Sequence, residues 1–497
     1  MNNLETLLES FSPAEKTYCR RYLFKNVHKG KDPVLKTMFS MLSANEEEKK
    51  IKEKIYGKEG RFSLKNENAF RVHKNKLMKV LLDALSDFEG EKSVDSKIHT
   101  IIQRGIVLRN KGLGGSAEKY FEKGVALALT AERYDLAESC LFNLLNLSQK
   151  NFIDAPAKKK RDAWRKQMRI CRKMQANIQL FSGIMDKISL IQTEVNNFKY
   201  TKKDQLKKIK KTVPFELFND ENSALCFESK CIFYLCRSKI ANATADYSSF
   251  QFYTRKVLVL MESQPEKIPY YESKYRFALN QYLNSSLHHS DFSDFDHFLF
   301  QLEQSGRGLK SANMVRHWLM IVNLKMNRNF KEEKTEMNLP LIRSSEKLLP
   351  VYEKILGPGF FTALYANFII SFLYCGQFRA GLKFINKLLN NATEKTKDPI
   401  LIMIKISNLI VHYELKNEKL LISLLRHYEK TDPSIPFAKI LLTFCLSFGK
   451  LSRGGKNQAE IFAELAENIS ELAGDTAMRA LIEDFYLEKW LQEKVAR

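Results

Sequence analysis

Apolar residues in this chain return every three or four positions, and no segment shows a sustained alternation of apolar and polar residues. A period near 3.6 belongs to amphipathic helices, so the pattern predicts an all-α protein. The sharpest example is 362–389, where two short amphipathic helices meet at a turn of Cys375, Gly376 and Gln377. The stretch 101–130 repeats the arrangement, with its turn at Lys111, Gly112 and Leu113. A hairpin this small cannot bury its own apolar face and must stack on neighbours. Glycine (20) and proline (12) are scarce over 497 residues, which favours helices with short connections over a long series of strands.

The pattern divides the chain into three parts. Residues 1–92 read as a small helical domain. Ser12, Pro13 and Glu15 spell a helix start with a capping box. Helices follow near 33–43, 46–57 and 66–88, the last with an apolar stripe of Phe70, Leu77, Leu81, Leu85 and Phe88. Residues 93–455 read as a succession of helices of 12–20 residues. Starts or breaks fall at 154–156, Pro265, Pro269, 357–359, 398–399 and 432–433, which gives roughly twenty helices in all. Residues 456–497 hold nine Asp/Glu against five Lys/Arg and an apolar stripe of Ile461, Leu465, Ile469 and Leu472. Such a segment suits acidic helices that cap a stack.

The two hairpins resemble degenerate tetratricopeptide repeats, in which small residues recur where paired helices cross closely. In 101–130 these are Gly105, Ala117 and Gly124, with Phe121 four positions after Ala117. In 362–389 they are Gly376 and Gly381, with Ile385 four after Gly381 and Tyr365 and Phe372 as bulky partners. Ile369 and Leu388 stand where small residues are expected, and 150–350 holds no clean copy, so the likeness covers about 60 residues. The layout is also similar to that of uncharacterised bacterial proteins with a helical N-terminal domain. The resemblance implies an α-solenoid that offers a concave face to a protein or peptide, with no catalytic residues.

Charge adds one feature. The chain carries +23, and 155–215 alone carries +13, from seventeen Lys/Arg and four Asp/Glu. Lys158, Lys159, Lys160, Arg161, Arg165, Lys166, Arg169, Arg172 and Lys173 surround a helical stripe of Trp164, Met168, Cys171, Met174 and Ile178. A second cluster, Lys202, Lys203, Lys207, Lys208, Lys210 and Lys211, follows on a short polar helix. Such a block either binds anions, whether an acidic protein or nucleic acid, or is the solvated outer face of ordinary helices.

Other chemistry is sparse. Cys226, Cys231 and Cys236 recur every five residues, about 140° apart on a helix, and cannot converge on one metal. His288, His289 and His297 lie near Asp291, Asp294 and Asp296, but the DFSDFD stretch reads as a helix start with Phe292, Phe295 and Phe298 turned inward. The glycines at 112–115, 306–308 and 454–455 read as inter-helix turns, without phosphate-loop spacing. Helices 33–88 have a helix-turn-helix as one possible shape, with Arg71, Lys76 and Lys79 outward, but Lys74 falls in the apolar stripe and the turn at 58–66 is long. The aromatics Tyr270, Tyr271, Tyr275, Phe277 and Tyr282 read as core. No apolar run reaches the ~20 residues of a membrane span, and the acidic start of the chain lacks a secretory pattern. The expectation is therefore a cytoplasmic, non-catalytic scaffold or adaptor for a protein or peptide, with no cofactor or metal. The alternative is a nucleic-acid-binding or regulatory protein that uses the basic block or the N-terminal domain. Oligomeric state is not encoded in the pattern.

Overall fold

A computed structural model describes residues 3–26, 33–44, 46–57, 64–90, 93–148, 155–196, 202–244, 246–309, 311–391, 399–431, 437–452, 458–473, 478, 482, 485 and 487–495. Among these residues every regular element is a helix and no strand occurs. The breaks expected at 154, 398 and 432–433, the glycines at 454–455 and most of the turn at 58–66 lie outside the described residues, as do the side chains of Lys202 and Lys203.

The chain divides into two compact units, Met1–Gln179 and Leu180–Arg497. The division falls within the 93–455 segment and inside a single helix, Ala155–Asn196, which at 42 residues is twice the expected length. Its length follows from an unbroken stripe. The buried Met168, Cys171 and Ile178 are continued by Phe181, Ile184, Ile188 and Ile191, and no proline interrupts them.

In the first unit, the N-terminal helices gather around a core that includes Leu23, Leu35, Met38, Leu77 and Leu81. The helix Pro13–Asn26 opens as its sequence dictates. The Ser12 amide donates to Glu15 Oε2 at 2.7 Å, and the Glu15 amide donates to Ser12 Oγ at 3.3 Å, a reciprocal cap. Lys74 is buried in the apolar stripe of Leu64–Gly90, and its Nζ reaches Glu48 at 2.6 Å and Glu5 at 3.4 Å. It ties three helices together.

Three helices follow, Val94–Asn110, Gly114–Thr130 and Tyr134–Leu147, each packed on the next. The small residues set how closely they approach. A Cβ on Gly105 would meet Phe121 Cε1 at 2.6 Å, and one on Gly124 would meet Cys140 Sγ at 2.6 Å. Ala117 and Phe121 are fully buried in the same contact.

One turn recurs in both units. At Gly112 (φ 78°) the amide donates to the Arg109 carbonyl at 3.0 Å, and the Leu113 amide donates to the Leu108 carbonyl at 3.0 Å. This is the Schellman pattern, which satisfies carbonyls at a helix end and needs a left-handed residue. The same pair of bonds closes helices at Gly376, Glu132, Glu333 and Lys416, with φ of 64°, 53°, 58° and 56°. Gly376 is exposed with open space around it, so it serves the turn and not a helix crossing. A Cβ on Gly381 would meet Phe372 Cβ at 3.4 Å, so Gly381 occupies the crossing, with Ile385 fully buried one turn later.

In the second unit, Phe227–Ala243 packs on Tyr247–Glu262, that helix on Glu272–His289, and the chain continues through Phe295–Ser305 and Ser311–Lys331. From Thr362–Tyr374 onward, Phe378–Asn391, Pro399–Glu414, Glu418–Tyr428, Ala438–Ser452 and Gln458–Leu472 pack in order. A large core built from Tyr365, Phe368, Phe444, Phe448 and their neighbours runs through them. The last described helix, Leu487–Val495, docks on this core through Trp490, whose ring lies 5.6 Å from Phe462 and 6.2 Å from Phe448. Its indole N–H donates to Glu414 Oε1 at 2.8 Å, and Lys494 Nζ meets the same carboxylate at 2.6 Å.

Candidate binding surfaces

The basic block separates into cations with and without a partner. Lys160 Nζ reaches Glu118 at 2.7 Å and Glu122 at 4.0 Å, and Arg172 Nε reaches Glu138 at 2.7 Å. These pairs pin Ala155–Asn196 to the helices Gly114–Thr130 and Tyr134–Leu147, and they are structural. The Glu118 carboxylate, through its hydrogen bond and its charge, holds the Lys160 ammonium above its ordinary range. Arg161 is half-buried beside the stripe. Lys158, Lys159, Lys166, Arg169 and Lys173 are exposed and form no ion pair among the described residues, while Arg165 is 3.5 Å from Asp162. Beyond the helix, Lys207, Lys210 and Lys211 are exposed on Lys202–Thr212, which buries Ile209.

The His and Asp residues near 290 are engaged elsewhere. The His288 ring stacks on Tyr247 at 4.9 Å. Asp296 pairs with Arg328, and Asp294 with Arg255 at 3.4 Å. Asp291 accepts from the Ser293 amide at 3.1 Å and from Gln251 at 3.0 Å; these bonds hold its carboxyl below the ordinary range. The next helix begins at Phe295, with Phe295 and Phe298 buried. Among the described residues no group of three or more His, Cys, Asp or Glu is placed to hold a metal. All eight cysteines are free, and burial pushes the thiols of Cys140, Cys236 and Cys445 up to about 12, which leaves them unreactive at neutral pH. No helix among the described residues is long and apolar enough to cross a membrane.

A groove of about 830 Å³ opens in the second unit. Its floor is made by Glu272–His289, Ser311–Lys331 and Thr362–Tyr374, and one wall by Leu487–Val495. Each floor helix contributes one asparagine to the lining, Asn284, Asn327 and Asn367, between apolar positions such as Leu287, Ala363, Ala366 and Ile370. A further asparagine sits one turn back on two of them. Asn284 Nδ2 donates to Asn280 Oδ1 at 3.1 Å, and Asn367 Nδ2 donates to Asn323 Oδ1 at 2.9 Å. The bonds orient both groove amides; Asn284 Nδ2 also donates to the Asn280 carbonyl at 2.8 Å, so Asn284 keeps its side-chain oxygen to offer and Asn367 keeps one N–H and its oxygen. Asn327 makes no hydrogen bond among the described residues. Charges at the rim are mixed, with Lys331 and Lys489 against Glu333 and Glu488. Lys489 Nζ lies 4.4 Å from the centre of the Tyr374 ring, and burial, with Glu333 and Glu493 nearby, pushes the Tyr374 hydroxyl up to about 12.

The groove escapes the sequence pattern because its asparagines are 43 and 40 positions apart and each looks like ordinary surface polarity. The pairs at 280/284 and 323/327, spaced by one helical turn, are the available signal. Compared with protein-family models, with curated proteins and with solved structures, the chain matches none.

Proposed function

We propose that the chain is a non-catalytic interaction scaffold whose second unit holds an extended polypeptide segment along the groove. The observation that carries this is the row of neutral amides from Asn284, Asn327 and Asn367, one on each of three successive floor helices. A primary amide offers a donor and an acceptor side by side, which is what a peptide group presents. Alternating apolar lining positions would take the side chains between them, and the mixed rim charge selects for no strongly acidic or basic ligand. On this reading the tetratricopeptide-like hairpins are the frame, and the amide row is the reader.

The test is direct. Twelve-residue peptides selected from a random library on the intact chain are titrated against variants. Each lost amide contact costs about 1 kcal/mol, so Asn327→Ala and Asn367→Ala are each expected to weaken binding about 5-fold. Ala363→Trp, at an exposed groove position, should abolish it while leaving the fold intact. Peptides that bind all three variants as tightly as the unsubstituted chain would refute the assignment.

A further inference from the structure

The outward cations of the first unit carry a second inference, independent of the groove. At 100° per residue, Lys158, Lys159, Arg165, Lys166, Arg169 and Lys173 fall within about 120° of the circumference of Ala155–Asn196, opposite the buried Met168, Cys171 and Ile178. A single carboxylate, Asp162, lies among them. The row is about 22 Å long at 1.5 Å per residue.

This arrangement is unfavourable for the free helix. Cations in its first turns oppose the positive end of the helix dipole. Arg165 with Arg169 and Arg169 with Lys173 are like charges one turn apart, each costing a few tenths of a kcal/mol. The neighbouring helices could have supplied carboxylates, and on the inner flank they do, at Glu118, Glu122 and Glu138. Among the described residues the outer face receives none. A bound polyanion would remove both penalties at once.

The type of polyanion follows from what the row lacks. A protein partner needs an apolar centre depleted in charge, and the row has charge at its centre; Ile170, the exposed apolar residue beside it, lies at the edge of the arc, about 20° beyond Lys159. A nucleic-acid surface is polar and basic throughout, and each strand presents regularly spaced phosphates along its axis. We infer that this face of Ala155–Asn196 binds the phosphodiester backbone of nucleic acid without reading its sequence.

Fluorescence anisotropy with the full chain and a labelled 20-base-pair duplex, made once as DNA and once as RNA, tests the inference and separates the two sources. With five cations engaged, the logarithm of the association constant should fall against the logarithm of salt with a slope of about −4.5 on the DNA duplex. Lys158/Lys166/Arg169/Lys173→Gln should weaken binding at least ~10-fold at 50 mM salt and reduce the slope by about 3.6. Lys97/Arg104/Lys119/Lys123→Gln removes the same charge from the helices Val94–Asn110 and Gly114–Thr130 and should leave affinity nearly unchanged. Lys158/Lys166/Lys173→Arg keeps the charge and should bind as the unsubstituted chain does, which guards against a folding artefact in the neutralised variant. Absence of binding at 50 mM salt, or equal losses in the two neutralised variants, would overturn the inference. Tighter binding of polyglutamate than of either duplex would reassign the face to an acidic protein.

Discussion

At Gly124 the absence of a side chain is a packing requirement. The helix Gly114–Thr130 meets Cys140 so closely that a methyl group would sit 2.6 Å from its sulfur and 3.3 Å from Ile101. Overpacking of this kind costs about 1–3 kcal/mol, more than the up to ~1 kcal/mol that alanine gains over glycine in a helix. Gly124→Ala should therefore lower stability by about 1 kcal/mol. Gly115→Ala, in open space on the same helix, should raise it by up to ~1 kcal/mol. Urea titration of the two variants checks the pair, and a Gly124→Ala chain as stable as its parent would show that the helices can part at no cost. The close crossing is legible in the sequence, because small residues at 105, 117 and 124 with Phe121 between them have few other uses. The groove asparagines are not legible. Nothing in the residues around Asn327 tells that Asn284 and Asn367 will stand beside it, because tertiary stacking of three helices makes them neighbours.

Between helices the recurring device is a left-handed residue followed by a backbone bond spanning six residues. Two of its instances carry glycine, at 112 and 376, and both hairpins announce themselves by it. The other three carry Glu132, Glu333 and Lys416, whose side chains favour other backbone conformations, so those helix ends are silent in the sequence. A residue with a Cβ in the left-handed region costs about 1 kcal/mol relative to glycine. Lys416 is exposed, so Lys416→Gly loses little packing and is expected to stabilise the chain by about 0.5 kcal/mol once the greater freedom of unfolded glycine is counted. A lower melting midpoint in that variant would show that the lysine earns its place by another contact. The length of Ala155–Asn196 is hidden for the opposite reason: its cations suggest a surface segment, while the buried stripe that keeps it helical continues from Met168 to Ile191.

Across the whole molecule, titration should show in stability as two steps. His317 is buried against Gly306, and burial together with the Arg276 charge holds its imidazole below the ordinary 6.5. Burial does the same to His412. Both imidazoles are neutral when folded and take up a proton more readily when unfolded. Their contribution is thus complete above pH 6.5 and is lost as pH falls below it toward the folded values. At Glu48 burial acts to raise the carboxyl, but hydrogen bonds and charge from Lys52 and Lys74 outweigh it, so the group sits below its ordinary 4.5. At Glu332 the Lys334 bond leads the same lowering. These contributions are complete above pH 4.5 and fail below it. The melting midpoint is expected to decline gently between pH 7 and 5 and steeply below 4.5, and His317→Gln should flatten the first decline. An unchanged slope in that variant would remove His317 from the account.

The pair formed by Trp490 and Lys494 with Glu414 spans 76 positions for the indole bond, whereas most helices here find their partners next to them in sequence. Local pairs assemble quickly, and distant ones wait on chain closure. The helix Leu487–Val495 also packs on its near neighbour Gln458–Leu472, so its bond to Glu414 is the part expected to close last. Until the helix docks, Phe444, Phe448 and Phe462 lack the ring that covers them, and the groove has no wall on that side. Nascent chains at this stage would be the form most exposed to chaperones and most prone to stick to one another.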